Sequence, residues 1–387
     1  MLSRNIYFQN FKKKINSKST NKTLKDILEN NNTVLQSLSK NYKDSYSKKD
    51  ILKFKKFKKF MIIGMGGSIL GTKSIFNFLK DKIKKKFIFF DNIQNNISHN
   101  FKQKNFLKIV VSKSGNTLET IVNSNILIKK DKKNIFITEN KDSYLMNFAK
   151  SLKADIIHHN NYIGGRYSVL SEVGMLPAEL MGLNPKKFRK FNQLVKDKKF
   201  LNNLIINVSN ILYLFKQKKS NSIILNYDEK SCDLFYWYQQ LVAESLGKNN
   251  NGFLPIVSNM PKDNHSLMQL YLDGPRNNFY TFFLVDDENS KKINQANLLS
   301  SLSFMKNKSF KKILKSQYIA TQNVFKKKNI PFRSFLIKKR SEETLGELFT
   351  FFILETILLG KLMKLNPFNQ PAVELIKKET KKVIKKN

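Results

Sequence analysis

Ile109-Val110-Val111-Ser112-Lys113-Ser114-Gly115-Asn116-Thr117-Leu118-Glu119-Thr120 is the stretch whose reading decides the fold. A β-branched apolar run predicts a strand, the small hydroxyl-rich residues a tight turn, and Leu118, Ile121, Val122, Ile126 and Leu127 recur at helical spacing. A helix that starts directly after a strand presents unpaired backbone N–H groups at the positive end of its dipole. Hydroxyls and a lysine placed there suit a doubly charged phosphate. The dipole alone contributes roughly 0.3–1 kcal/mol when exposed, so convergent hydrogen bonds must supply most of the affinity. An ordinary capped helix would read the same way, and the neighbouring stretches have to decide.

Upstream, Phe60-Met61-Ile62-Ile63-Gly64-Met65-Gly66-Gly67-Ser68 predicts another strand, a glycine-rich loop and a helix through Ile75, Phe78 and Leu79. The glycines let backbone approach a ligand and Ser68 offers a hydroxyl, although close packing of helix on strand would use them equally well. Their spacing does not match the dinucleotide pattern. Lys86–Phe90 and Asn134–Thr138 read as further strands, and Asp155-Ile156-Ile157 is a short apolar run. Strands alternating with helices predict βαβ units, a parallel sheet, and ligands at the strands' C-terminal ends.

His158 and His159 follow. Adjacent imidazoles share neither a helix face nor a strand face, and no cysteine or acidic cluster accompanies them, which argues against a metal site. Next comes Gly164-Gly165-Arg166-Tyr167-Ser168. Only six arginines occur in the chain. Where composition favours lysine so strongly, a retained guanidinium points to a need for its planar fork, either at a site or in a salt bridge. A helical stretch over 178–219, broken at Pro185 and Lys196, places a domain boundary near residue 195.

The second half repeats the architecture. Ser222-Ile223-Ile224-Leu225 reads as a strand and Cys232–Leu246 as a helix ending at Gly247. Gln240 and Glu244 lie four apart on one face of that helix. Glu244 is either a partly buried proton carrier or a surface partner of Lys248. Residues 263–269 read as a capped helix start holding His265, Asn278–Val285 as a strand, 291–304 and 310–328 as helices, 331–337 as a strand and 342–365 as a long apolar helix. A lysine-rich helical tail closes the chain.

The 387 residues exceed a single domain's usual ceiling of about 250–300 and predict two domains. No apolar run reaches the roughly 18 residues of a membrane span, and the N-terminal segment lacks an apolar signal core. Cys232 is the single cysteine, so no intrachain disulfide can form and a reducing cytoplasm is expected. The net charge of +41 invites a nucleic-acid reading. Lysine, asparagine, isoleucine and phenylalanine are enriched throughout, however, so the charge reads as compositional drift with a solvated lysine surface. Nucleic acid and membrane are not expected partners.

Gly64–Ser68, Ser112–Thr120, Gly164–Ser168, Ala243-Glu244-Ser245-Leu246-Gly247-Lys248, His265-Ser266-Leu267-Met268-Gln269 and Asn366-Pro367-Phe368-Asn369-Gln370-Pro371 occur in an order that resembles the glucose-6-phosphate isomerase family in its compact bacterial form. The resemblance spans about residues 60 to 377. It implies an α/β fold of two sugar-isomerase (SIS) domains, each three-layered α/β/α with a mostly parallel sheet. On that scheme residues 1–55 form a helical lead-in, 56–195 the first domain, 196–365 the second and 366–387 a C-terminal helical segment.

The resemblance also implies roles. Gly67, Ser68, Ser112, Lys113, Ser114, Thr117 and Gly165 would bind the sugar phosphate, and Gln240 and Gln370 would position it. Glu244 would be the base and Arg166 would stabilise the enediolate. His265, reaching across a homodimer interface, and Lys377 would assist ring opening. Neither cofactor nor metal is implied, since one carboxylate can remove and return a proton. The last motif departs from the family pattern at Asn366, Asn369, Ala372 and Ile376, and Lys378 competes with Lys377 for its role. An enzyme that also accepts mannose 6-phosphate and a non-catalytic sugar-phosphate sensor are the alternatives.

Overall fold

A computed structural model of the chain describes residues 2–13, 15–30, 33–93, 106–129, 133–287 and 290–386. Its strands, in chain order, are β1 (Ile6–Gln9), β2 (Lys59–Gly64), β3 (Lys86–Phe90), β4 (Leu107–Val111), β5 (Asn134–Thr138), β6 (Asp155–His158), β7 (Asn221–Asn226), β8 (Leu254–Asn259), β9 (Asn278–Val285) and β10 (Phe332–Ile337). They form two five-stranded sheets.

The first sheet runs β3-β2-β4-β5-β6 with every pair parallel. Helices cover both faces, which is why β4 and β5 are buried along their whole length and read as unbroken apolar runs. The chain passes from β2 outward to β3 and then returns to the other side of β2 to lay down β4. At such a reversal the loops leaving the two strands diverge, and a crevice opens between them. The Gly64–Ser68 and Ser112–Thr117 loops flank that crevice.

The second sheet has the same logic, in the order β1-β10-β9-β7-β8. Its reversal falls between β7 and β9, and there the protein supplies its own occupant. Arg340 grips both carboxylate oxygens of Asp228, at 3.1 and 2.8 Å, while its backbone N–H donates to Asp287 at 2.7 Å.

The Cys232–Leu246 helix ties the halves together. One face packs on the Leu70–Phe78 helix of the first domain and another on Glu342–Leu362 of the second. Trp237, fully buried, meets Phe349 edge-on with centroids 4.8 Å apart. Around this helix a single apolar cluster runs from Phe60 in the first sheet to Phe283 and Phe352 in the second unit. Lys82 pairs with Glu342 across the junction at 2.8 Å. Deeper in the second domain Arg333 and Glu355, both fully buried, form an ion pair that Asn207 and Tyr238 complete. Removing one member of such a pair typically costs about 3–5 kcal/mol.

Several elements differ from the sequence-based expectation. The N-terminal segment contains the Lys18–Glu29 and Lys48–Lys55 helices, but it begins with β1, which lies antiparallel on β10 at the edge of the second sheet. Strand β8 has no counterpart in the sequence reading. Residues 291–304 are not a helix: they form 3-10 turns at Gln295–Asn297 and Ser300–Met305. Leu299 and Phe304 stay 75% and 71% exposed, so no apolar face packs there to sustain a helix. The capped helix expected at residues 263–269 is a 3-10 turn, Lys262–His265, followed by a short helix at Met268–Asp273. Asp263 is the reason: its carboxylate accepts from Ser258, Asn259 and Ser266 and so folds the turn on itself.

Candidate active site

Gly64 and Val111 are paired at the ends of β2 and β4, so the two loops at the crevice start side by side. Gly66–Ser68 makes one 3-10 turn before the Leu70–Phe78 helix. At Gly66 φ is +52°, and a Cβ there would lie 2.7 Å from the Gln240 side-chain nitrogen. A Cβ on Gly67 would come within 2.2 Å of the Gly165 carbonyl carbon. The glycines thus let two loops and a helix of the second domain converge at backbone distance.

In the other loop Ser112 donates its N–H to Ile137 at 3.1 Å and accepts from the Gly115 N–H at 3.2 Å. The Ser112 and Thr117 hydroxyls are 3.0 Å apart. Thr117 caps the Leu118–Leu127 helix by position, yet its side chain makes no bond to the first-turn N–H groups. Ser114, Asn116 and Thr117 form one wall of a cavity of about 620 Å³. The Pro371–Lys386 helix forms the other, presenting Val373, Ile376 and Lys377. The Lys113 amine donates to the Asn161 carbonyl at 2.6 Å and lies 3.5 Å from Glu139.

Arg166 sits behind this crevice with its side chain 1% exposed. Its five N–H groups have five partners. Nε donates to Ser245 Oγ at 2.8 Å, and Nη1 to Glu244 Oε2 at 3.0 Å and Gln370 Oε1 at 2.6 Å. Nη2 donates to the carbonyls of Pro367 at 2.7 Å and Asn369 at 3.1 Å. The other Glu244 oxygen accepts from Gln240 Nε2 at 2.8 Å. Gln240 Oε1 is buried with no hydrogen-bond partner among the described residues. Glu244 keeps 29% exposure and opens onto a second cavity, about 660 Å³, that it shares with Lys248, Gln370 and Ala372.

Arg166, Glu244, Gln240 and Gln370 are therefore brought into one hydrogen-bonded group. Glu244 pairs with Arg166 and not with Lys248. The Lys248 amine instead ties the Ser245 carbonyl, at 3.0 Å, to that of Asn366. Burial, with the Arg166 charge added, pushes that amine down to about 8. Lys377 is exposed and bonded to Glu374 at 2.6 Å, but it lines the same cavity as Ser114, whereas Lys378 does not. His265 is exposed at the end of its turn and makes no side-chain bond to any of these groups among the described residues. Nor does it line the cavity onto which Glu244 opens.

Sequence reasoning missed the groups that hold Arg166. Ser245 and Tyr167 bond each other at 2.9 Å, and the Tyr167 hydroxyl donates to the Pro367 carbonyl at 2.9 Å. Ser245 lies beside the candidate base and could have been flagged. Backbone carbonyls carry no signal in the residue letters.

Among solved structures, a hypothetical protein from Thermus thermophilus superposes with a TM-score of 0.83 at 23% identity, covering 95% of this chain and 94% of that one. A glucose-6-phosphate isomerase from Chlamydia trachomatis does so with a TM-score of 0.74 at 18% identity, covering 95% and 84%. The fold is that of the SIS-domain phosphosugar isomerases, mixed α/β with mostly parallel sheets. The phosphoglucose isomerase family model matches residues 12–387. A glucose-6-phosphate isomerase from Methanocaldococcus jannaschii is 32% identical over 85% of each chain, and one from Mycoplasmopsis pulmonis 31% identical over 84% of this chain and 82% of its own. The chain belongs to the phosphoglucose isomerase family.

Proposed function

We infer that Glu244 is the base in the reaction that gives the family its name, the interconversion of glucose 6-phosphate and fructose 6-phosphate, which this chain performs as an aldose–ketose isomerase. The observation that carries the assignment is the Arg166–Glu244–Gln240–Gln370 group, in which a carboxylate open to a cavity is held by donors on both oxygens. Glu244 takes the proton from C2 of the open-chain aldose and the carbonyl electron pair collects on O1; the O2 hydroxyl proton then passes to O1, and as the C2–O2 carbonyl forms the same carboxylate returns its proton to C1. The enediolate between these steps carries oxyanion charge. Arg166 Nη1 meets that charge, a role supported by its two side-chain partners, which can turn aside, whereas Nη2 is bonded to backbone carbonyls.

Ser68, Ser112, Lys113, Ser114 and Thr117 bind the phosphate, with Gly67 and Gly165 admitting it to the backbone. Gln240 and Gln370 orient the sugar. Lys377 and His265 assist ring opening, and the exposure of His265, away from the cavity that Glu244 lines, supports its delivery by a second copy in a homodimer. A single cysteine agrees with a cytoplasmic location.

Glu244→Gln is the decisive variant. General acid–base assistance is typically worth about 10²–10⁴-fold, so kcat should fall by at least the lower figure while inorganic phosphate still binds. Turnover retained at the parent level would remove Glu244 from the role.

A further inference from the structure

The loop that carries Arg166 is closed by a buried clasp. His159 ends the segment after β6, and Glu172 begins the Glu172–Leu180 helix thirteen positions later. Their side chains are 1% and 0% exposed, with His159 Nδ1 at 2.5 Å from Glu172 Oε1. The other ring nitrogen, Nε2, is 3.0 Å from the Ile163 carbonyl. A carbonyl can only accept, so Nε2 carries a proton and donates it. Nδ1 then shares a proton with the carboxylate in a charge-assisted bond.

Glu172 is saturated by donors from three directions. Besides His159, it accepts the Asn160 N–H at 3.2 Å and the Tyr42 hydroxyl at 2.8 Å. The Asn160 amide in turn donates to Tyr42 at 2.7 Å. Burial alone would push the Glu172 carboxyl up, but the bond and charge of His159 hold it below the usual carboxylate range. The other titratable groups facing the pair are Tyr42 and Tyr162, with Asp44 and Arg189 behind.

The ring therefore ties three points: the end of β6, the start of the Glu172–Leu180 helix, and the Ile163 carbonyl. That carbonyl immediately precedes Gly164 and Gly165, which have no side chains to stiffen the approach to Arg166. We propose that His159 and Glu172 are positioning residues for Arg166, a clasp that fixes the Gly164–Arg166 turn so that the guanidinium meets the enediolate. The inference rests on the role given to Arg166 above.

The test compares parent, Arg166→Lys, His159→Gln, Glu172→Gln and the double variant His159→Gln/Glu172→Gln. Each is measured for kcat, KM, and affinity for two probes: inorganic phosphate, and a five-carbon aldonate 5-phosphate whose planar carboxylate mimics the enediolate. Both single clasp variants should lose about tenfold in kcat and in aldonate affinity, with phosphate affinity within twofold of the parent. The double variant, which removes both charges together, should recover at least part of the loss. If a single variant fails to fold, judged by far-UV circular dichroism, the folded single and the double decide the matter alone. Equal weakening of both probes, or no loss of kcat, would overturn the clasp's role. Unchanged aldonate affinity in Arg166→Lys would instead overturn the reading of Arg166 itself, so the two failures are distinguishable.

Discussion

Arg166 shows how much a single side chain can be asked to do. All five of its donors are engaged, in two directions that a point charge cannot reproduce. On the role proposed for it, Arg166→Lys should therefore lower kcat more than it raises KM, because a point charge in place of the fork would stabilise the intermediate less while leaving the sugar's other contacts in place. Steady-state kinetics in both directions would check this, and an effect on KM alone would contradict it. The scarcity of arginine made this residue legible in the sequence. The logic extends beyond the site, since Arg189, Arg333 and Arg340 also form buried or half-buried ion pairs with carboxylates. What could not be read was the company Arg166 keeps. Two of its partners are the carbonyls of Pro367 and Asn369, more than two hundred positions away. Those contacts also clarify the departures in the last motif. Asn366 uses its side chain to accept the Phe368 N–H at 2.9 Å, and Asn369 contributes its backbone carbonyl, a contact that does not depend on its side chain.

At the scale of elements, helices with a strong apolar rhythm and the central strands of each sheet were legible because packing and period agree. Strand β1 was not, because its four residues sit at a sheet edge and alternate between buried and exposed positions. Strand β8 was not, because Pro255 and the asparagines before it read as a loop. The junction between the two units depends on element ends. Glu342 starts the Glu342–Leu362 helix and bonds Lys82 of the first domain at 2.8 Å. Burial acts to raise this carboxyl, but the Lys82 bond and charge prevail and hold it below its ordinary 4.5. A depressed carboxyl stabilises the folded state fully above its unfolded value and loses that contribution as pH falls through the folded value. The parent should accordingly lose thermal stability below about pH 4.5 more steeply than Glu342→Gln. Identical acid limbs in differential scanning calorimetry would show that the contact is idle.

For the whole molecule the +41 charge is the dominant property. Its lysines are spread over the surface, and the crevice sits within their field. A field of that sign raises the encounter rate with a doubly charged substrate, and salt screens it over about 8–10 Å at physiological strength. The ratio kcat/KM should decline as ionic strength rises from about 10 to 300 mM, while kcat changes little; a flat kcat/KM would mean that the charge plays no part in capture.

Two sheets of the same winding would ordinarily offer two crevices for a phosphorylated ligand. In the second, Arg340 lies across the reversal, locked to Asp228 and Asp287. The surroundings are anionic and already engaged with Arg340, so a phosphate would meet repulsion there. The consequence is a stoichiometry. Calorimetric titration with a sugar phosphate should saturate at one equivalent per chain; on the roles proposed above, two halves of like winding divide the labour, one holding the ligand and the other the helix that acts on it.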